Sequence, residues 1–216
     1  GATAYALRPP VVHLTAGDHQ GPLVITRRAV LIGAPGAVVR GGIVVRASGV
    51  RIENVSVVGG ENGITVDGYR GTVLDRVSVS GAKLDGIHVR LAGVVIKNCT
   101  VDMTGNPLGQ GIDISYTMDM GPTMVEGCTV TGGMEGITTH SSSTDIVQDR
   151  VSGTTEHGNS VTEMSMGSVM DSEVSNARGV GIYCNDRSMC MIQHNTVVGM
   201  RANGTQNLAE AGFGVP

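Results

Sequence analysis

Short bursts of alternating apolar and polar residues run along this chain, and the bursts repeat. A Gly followed by an apolar-x-apolar stretch recurs as Gly42-Ile43-Val44-Val45, Gly63-Ile64-Thr65-Val66, Gly86-Ile87-His88-Val89 and Gly111-Ile112-Asp113-Ile114, then more loosely as Gly136-Ile137-Thr138-Thr139 and from Gly158 and Gly181. The intervals between these glycines are 21, 23, 25, 25, 22 and 23 residues. That is too short for two helices per repeat and sufficient for three short strands with bends. A second strand with period-two alternation follows in each repeat, as in Ile52-Glu53-Asn54-Val55-Ser56-Val57, Leu74-Asp75-Arg76-Val77-Ser78-Val79 and Ile96-Lys97-Asn98-Cys99-Thr100-Val101. Gly, Asn and Asp cluster between the strands, where corners need positive-φ residues.

The expected fold is all-β: a single-stranded right-handed parallel β-helix of about seven coils, forming one domain over residues 1–216. Residues 1–41 are expected to be an N-terminal cap with leading strands, because a solenoid end must cover its open core and edge strand. Residues 42–200 carry the regular coils, and residues 201–216, where the repeat is lost, are expected to be a tail or closing cap.

Alternation fixes which residues point outward. Two and four places after each coil-opening Gly, side chains form ladders whose members in adjacent coils lie ~4.8 Å apart. The first ladder reads Val44, Thr65, His88, Asp113, Thr138, Ser160, Tyr183. The second reads Arg46, Asp67, Arg90, Ser115, His140, Thr162, Asn185. His88 and Asp113 are therefore expected neighbours. With Asp67, Arg90, Tyr116 and His140 they make a patch of acid, base and cation, in which a His oriented by a carboxylate abstracts a proton and an Arg neutralises a substrate carboxylate. The competing reading is a solvated face with ordinary ion pairs.

Composition adds one unusual feature. Aromatics make up 2% of the chain, with no Trp and one Phe, so Val, Ile, Leu and Met must build the interior and few stacking platforms exist for sugar rings. All eleven Met lie between Met103 and Met200. Several sit in bends that stacking would bring to one edge: Met118 and Met120, then Met164 and Met166, then Met189, with His140 in the shorter intervening loop. Exposed thioethers and an imidazole suit Cu(I) far better than zinc, calcium or magnesium. The alternative is that Met replaces Leu as core filler, which fits Met124 and Met170 best.

The four cysteines form two sensible pairs. Cys99 and Cys128 hold the same repeat position in adjacent coils, within disulfide reach, and Cys184 and Cys190 flank a short step that can close. An even count favours an oxidising compartment, whereas stacked free thiols would fit a cytosolic protein. The net charge of −4 gives no reason to expect nucleic acid as a partner. No apolar run is long enough to span a bilayer. The chain opens on Gly1 rather than Met, as a mature or trimmed protein does, and an extracytoplasmic location is expected, with no signal peptide in this chain.

The run Leu14-Thr15-Ala16-Gly17-Asp18-His19, then Leu23-Val24-Ile25 and Val30-Leu31-Ile32-Gly33, resembles the first segment of the carbohydrate-binding and sugar-hydrolase-type β-helix family. That family includes the periplasmic β-helix protein of nitrous oxide reductase maturation, associated with copper supply. The residues and the resemblance together give three functional expectations. One is an extracytoplasmic protein binding copper, as Cu(I), through Met118, Met120, His140, Met164, Met166 and Met189. A second is a polysaccharide-active lyase, hydrolase or epimerase using His88, Asp113, Arg90 and Asp67, since β-helix enzymes hold catalytic groups midway along the solenoid. A non-catalytic solenoid that binds glycans, or a protein partner along one face, is a third.

Overall fold

A computed structural model describes residues 8–200; the expected tail at 201–216 lies outside the described residues. Twenty-six strands form three parallel sheets of nine, nine and eight strands. The chain visits the three sheets in turn, so each circuit is one coil. The described residues make eight full coils and two strands of a ninth, more than the seven read from the repeat. The shortfall lies mainly at the start. Val11–Leu14, Gly17–Gln20 and Leu23–Ile25, read as part of a cap, are a coil in register with Val30–Gly33, Ala37–Arg40 and Ile43–Val45. Its third strand is preceded by Gly21-Pro22 in place of the Gly-apolar signature, which hid it. No helix of the described residues is long and apolar enough to cross a membrane.

Register stacks like on like. In the first sheet Leu31, Ile52, Leu74, Ile96, Val125, Ile146 and Val169 lie above one another. The second sheet contributes Val39, Val57, Val79, Val101, Val130, Val151 and Val174. In the third the stack is Ile43, Ile64, Ile87, Ile112, Ile137, Asn159 and Ile182. These rows fill the bore, and all are buried. Because parallel pairing sends every ladder bond to the neighbouring coil, a one-residue slip would turn each row inside out.

The corners divide the work between backbone and packing. Where the first sheet turns into the second, Asn54, Arg76, Asn98, Gly127, Gln148, Asp171 and His194 all have positive φ. Of the coil-opening glycines Gly42 follows that rule, and the later ones do not. Gly63, Gly86, Gly111, Gly136 and Gly158 are absent from the positive-φ residues; they are glycines because a Cβ has no room. At Gly111 it would stand 2.3 Å from Val130 Cγ1 and 2.5 Å from the Gly136 carbonyl oxygen. These five glycines let two sheets and two coils close on one point.

Toward the C-terminal half the interior becomes polar. Thr117, Ser142, Ser165 and Ser188 form a stack in which the three serine hydroxyls each receive the N–H of the residue one coil before, at 3.4, 3.0 and 3.0 Å. Thr139, Thr144, Asp149 and Asn159 are buried, each with at least one side-chain polar atom lacking a partner among the described residues.

Candidate functional site

The outward face of the third sheet carries both expected ladders. Thr65, His88, Asp113, Thr138 and Ser160 pair in succession, with Asp67, Arg90, Ser115, His140 and Thr162 two residues further on. His88 Nδ1 lies 3.1 Å from Asp113 Oδ2 and 3.0 Å from Asp85 Oδ2. Asp113 Oδ1 is 3.5 Å from His140 Nε2, and His140 Nδ1 is 3.6 Å from Glu163 Oε1. Four consecutive coils thus contribute to one chain of ionisable groups.

Asp113 is buried at the centre of this chain, and His88 and His140 are half-buried beside it. Each carboxylate of the inner group is tied from outside. Asp85 Oδ1 accepts the Gln110 N–H at 3.0 Å, and the Asp85 N–H donates to Asn62 Oδ1 at 3.0 Å. The Ser115 hydroxyl reaches Asp113 Oδ1 at 3.4 Å. Asp85 belongs to a corner stack, Asn62, Asp85, Gln110, Glu135, that precedes the coil-opening glycines and is linked further by Gln110 Nε2 donating to Glu135 Oε2 at 3.1 Å.

Hydrogen bonds to Asp113 and then Asp85 raise His88 to about 10, against the opposing effect of burial. The ring is an imidazolium at neutral pH. It therefore suits proton donation rather than the abstraction expected from the sequence. A raised histidine stabilises the fold fully below its unfolded value near 6.5, and that stabilisation is lost as pH rises through about 10. Proton NMR of the metal-free protein tests this: the His88 ring resonances are expected to show no midpoint between pH 5 and 8.5, and a midpoint below 7 would disprove the clamp.

Beside the ladders runs a less polar shelf. Arg90 Nη1 lies 3.8 Å from Asp67 Oδ1, and the Arg90 guanidinium stands 5.6 Å from the centre of the Tyr116 ring. Tyr116 joins Leu91, Met118, Ser141 and Met164 around a shallow depression of about 400 Å³. Leu91, Tyr116, Ser141 and Glu163 occupy one corner position and all have positive φ; the first three line the depression, and the Glu163 carboxylate turns to His140.

The six residues expected to bind copper fall in three places. His140 turns to the carboxylates and lies 3.4 Å from the Thr138 hydroxyl and 3.2 Å from that of Thr162. Met118 and Met164 rim the depression, and Met120 is half-buried in the bend beyond. Met166 and Met189 pair across the first sheet, 41% and 65% exposed, with exposed Met191 close by. Met118 and Met164 thus share the depression, and Met166 and Met189 share a strand pair.

Cys184 and Cys190 are disulfide-bonded, with Cα atoms 6.4 Å apart. Cys99 and Cys128 are buried free thiols, stacked as their repeat position implies. Interaction with Cys99, then burial, pushes the Cys128 thiol up. Asp149, the next member of that corner row, accepts the Cys128 N–H at 2.6 Å.

Three-stranded parallel coils stacked around an apolar bore, with a polar ladder on one outer sheet, define a β-solenoid. The chain belongs to the right-handed β-helix family: residues 41–213 match the family described as "Right handed beta helix region". No curated protein matches the sequence. Among solved structures, a pectate lyase, Pel9A, superposes with a TM-score of 0.62 at 10% identity, covering 92% of this chain and 71% of that one. ORF18 of Geobacillus virus E2 gives 0.58 at 10% identity, covering 90% and 54%. A pectin methylesterase from Yersinia enterocolitica gives 0.50 at 9%, covering 94% and 92%. At these identities the likeness is one of fold.

Proposed function

We propose that this protein acts on a polysaccharide laid along the outward face of the third sheet, breaking or rearranging it as a lyase, hydrolase or epimerase does. The observation that carries the reading is the unbroken contact chain Asp85, His88, Asp113, His140, Glu163. It crosses three inter-coil steps, a run of ~14 Å at the spacing of adjacent strands, along which an extended glycan can lie. The comparison with a pectate lyase and a pectin methylesterase supports a carbohydrate partner on this fold.

In this reading His88 is the proton donor. Its Nδ1 is committed to Asp113 and Asp85, which leaves Nε2–H for a leaving glycosidic oxygen. Asp113 and Asp85 hold the ring's orientation and charge. Tyr116 offers an apolar ring face beside the ladder, and Arg90 and Asp67 contact the sugar's polar groups from the rim. An extracytoplasmic location accords with the Cys184–Cys190 disulfide, a bond that persists in oxidising compartments.

The test is to incubate the protein with polygalacturonate, pectin and neutral glycans, following unsaturated products and new reducing ends. Turnover is expected, and His88→Gln and Asp113→Asn are each expected to lower it by about 100-fold or more. Retardation in a glycan-containing gel without product would replace catalysis by binding alone. The absence of both turnover and retardation would refute the reading.

A second reading rests on Met166 and Met189, exposed and paired across adjacent strands. We propose copper binding, as Cu(I), at these thioethers with Met191, since soft sulfur ligands select that ion. Titration under a competing chelator is expected to show binding that a Met166→Leu, Met189→Leu variant loses. Equal binding by wild type and variant would remove these residues from any copper site.

A further inference from the structure

We infer that Asp85, His88 and Asp113 form a binding site for a first-row divalent transition ion such as zinc, with one nitrogen and two oxygen ligands and open positions toward solvent. One donor atom from each of the three lies within 4.8 Å of the others. His88 Nδ1 stands 3.0 and 3.1 Å from the two Oδ2 atoms. Ligands bound at ~2.1 Å in adjacent octahedral positions stand ~3.0 Å apart, so an ion can join these atoms with small movements.

The way the carboxylates approach the ring points to a ligand. An imidazolium can satisfy two carboxylates through its two N–H groups, one on each nitrogen. Here both converge on Nδ1, where a single proton points well at only one of them. A cation at that point would displace the Nδ1 proton and serve both oxygens and the nitrogen together, so the metal-bound and proton-donating forms of His88 are alternative states of one site.

The outer oxygens accept hydrogen bonds that fix the carboxylates' orientation, as ligands of a bound metal are fixed. Asp85 Oδ1 takes the backbone N–H of Gln110, and Asp113 Oδ1 takes the Ser115 hydroxyl with His140 Nε2 at 3.5 Å. Each Oδ2 is thereby left facing His88. The imidazole donor favours zinc or its first-row neighbours over calcium and magnesium, which take oxygen ligands. Three protein ligands with open positions match metal centres that work on bound water or substrate rather than structural ones.

The experiment is calorimetric titration of chelator-stripped protein with zinc chloride, with calcium chloride as the comparison. It uses no glycan, so failure to bind zinc and failure to act on polysaccharide are separate results. One saturable zinc site is expected, tighter than any for calcium. Asp85→Asn and Asp113→Asn should each weaken it by about 100-fold or more, and Ser115→Ala by roughly 10-fold. His194→Gln, on the far corner, should leave it unchanged. Where a carboxylate variant melts early, 15N NMR of the wild type decides: the His88 ring nitrogens should move first on adding zinc. No saturable binding, first movement at another histidine, or zinc binding unaltered in a folded Asp113→Asn variant would overturn the assignment.

Discussion

Replacing Gly111 by alanine is expected to destabilise the protein by about 3 kcal/mol or more, at the upper end of the range for overpacking. The new Cβ would meet Val130 Cγ1 at 2.3 Å and the Gly136 carbonyl oxygen at 2.5 Å. The valine belongs to the closely packed second-sheet row. The oxygen accepts the Ile112 N–H at 2.9 Å, so retreating from the methyl group would break a rung of the third sheet. In a chain of this size that loss corresponds to a fall of roughly 10 °C in melting temperature. Gly105→Ala is the control, because a Cβ there meets nothing within 4 Å. Thermal denaturation of both variants checks the claim, and equal melting temperatures would show that the coil-opening glycines are not sterically required.

The second large effect concerns Asp149. Burial raises its carboxyl to about 7, against hydrogen bonds from the Cys128 and Val147 backbone. The sign follows from proton counting. Above pH 4 the unfolded chain releases this proton while the folded chain retains it, so stability falls with rising pH until about 7, then levels off. The full shift amounts to about 4 kcal/mol at most. Asp149→Ser should abolish this slope without disturbing the corner, because Ser172 already holds the same place one coil on, its hydroxyl accepting the Asp149 N–H at 3.1 Å. Chemical denaturation at pH 5 and pH 8 is expected to show the variant gaining stability over wild type at the higher pH. A pH-independent difference between the two proteins would mean that Asp149 ionises freely in the fold.

The bore, the sheets and the outward ladders were legible because they depend on spacing. Once Gly42 to Gly181 set the phase, alternation placed His88 beside Asp113 and His140 one coil beyond Ser115. Asp85 and Glu163 were missed because both lie at corners, where period-two counting stops. A signal for Asp85 was present: Asn62, Asp85, Gln110 and Glu135 each immediately precede a coil-opening Gly, and such a polar column faces the same side as the sheet that follows. Glu163 had a weaker one, shared with Leu91, Tyr116 and Ser141 after the second ladder. The methionines were grouped because their bends stack, and the same limit of counting applies there: the chain turns between Met164 and Met166, leaving one at the rim of the depression and the other on the first sheet.

Stacked coils also bear on how such a chain changes over generations. A solenoid lengthens by duplicating a coil, and the bore accepts the copy wherever the rows continue. The contact chain from Asp85 to Glu163 is different, because no single coil contains it. Each link joins one coil to its successor, apart from the pairing of Asp85 with His88. Duplication before Asn62 or after Glu163 would extend the molecule and spare the chemistry, whereas an extra coil between His88 and Asp113 would part them by a full strand spacing and leave every coil intact. The working unit of inheritance here is a block of four adjacent repeats, copied or lost together.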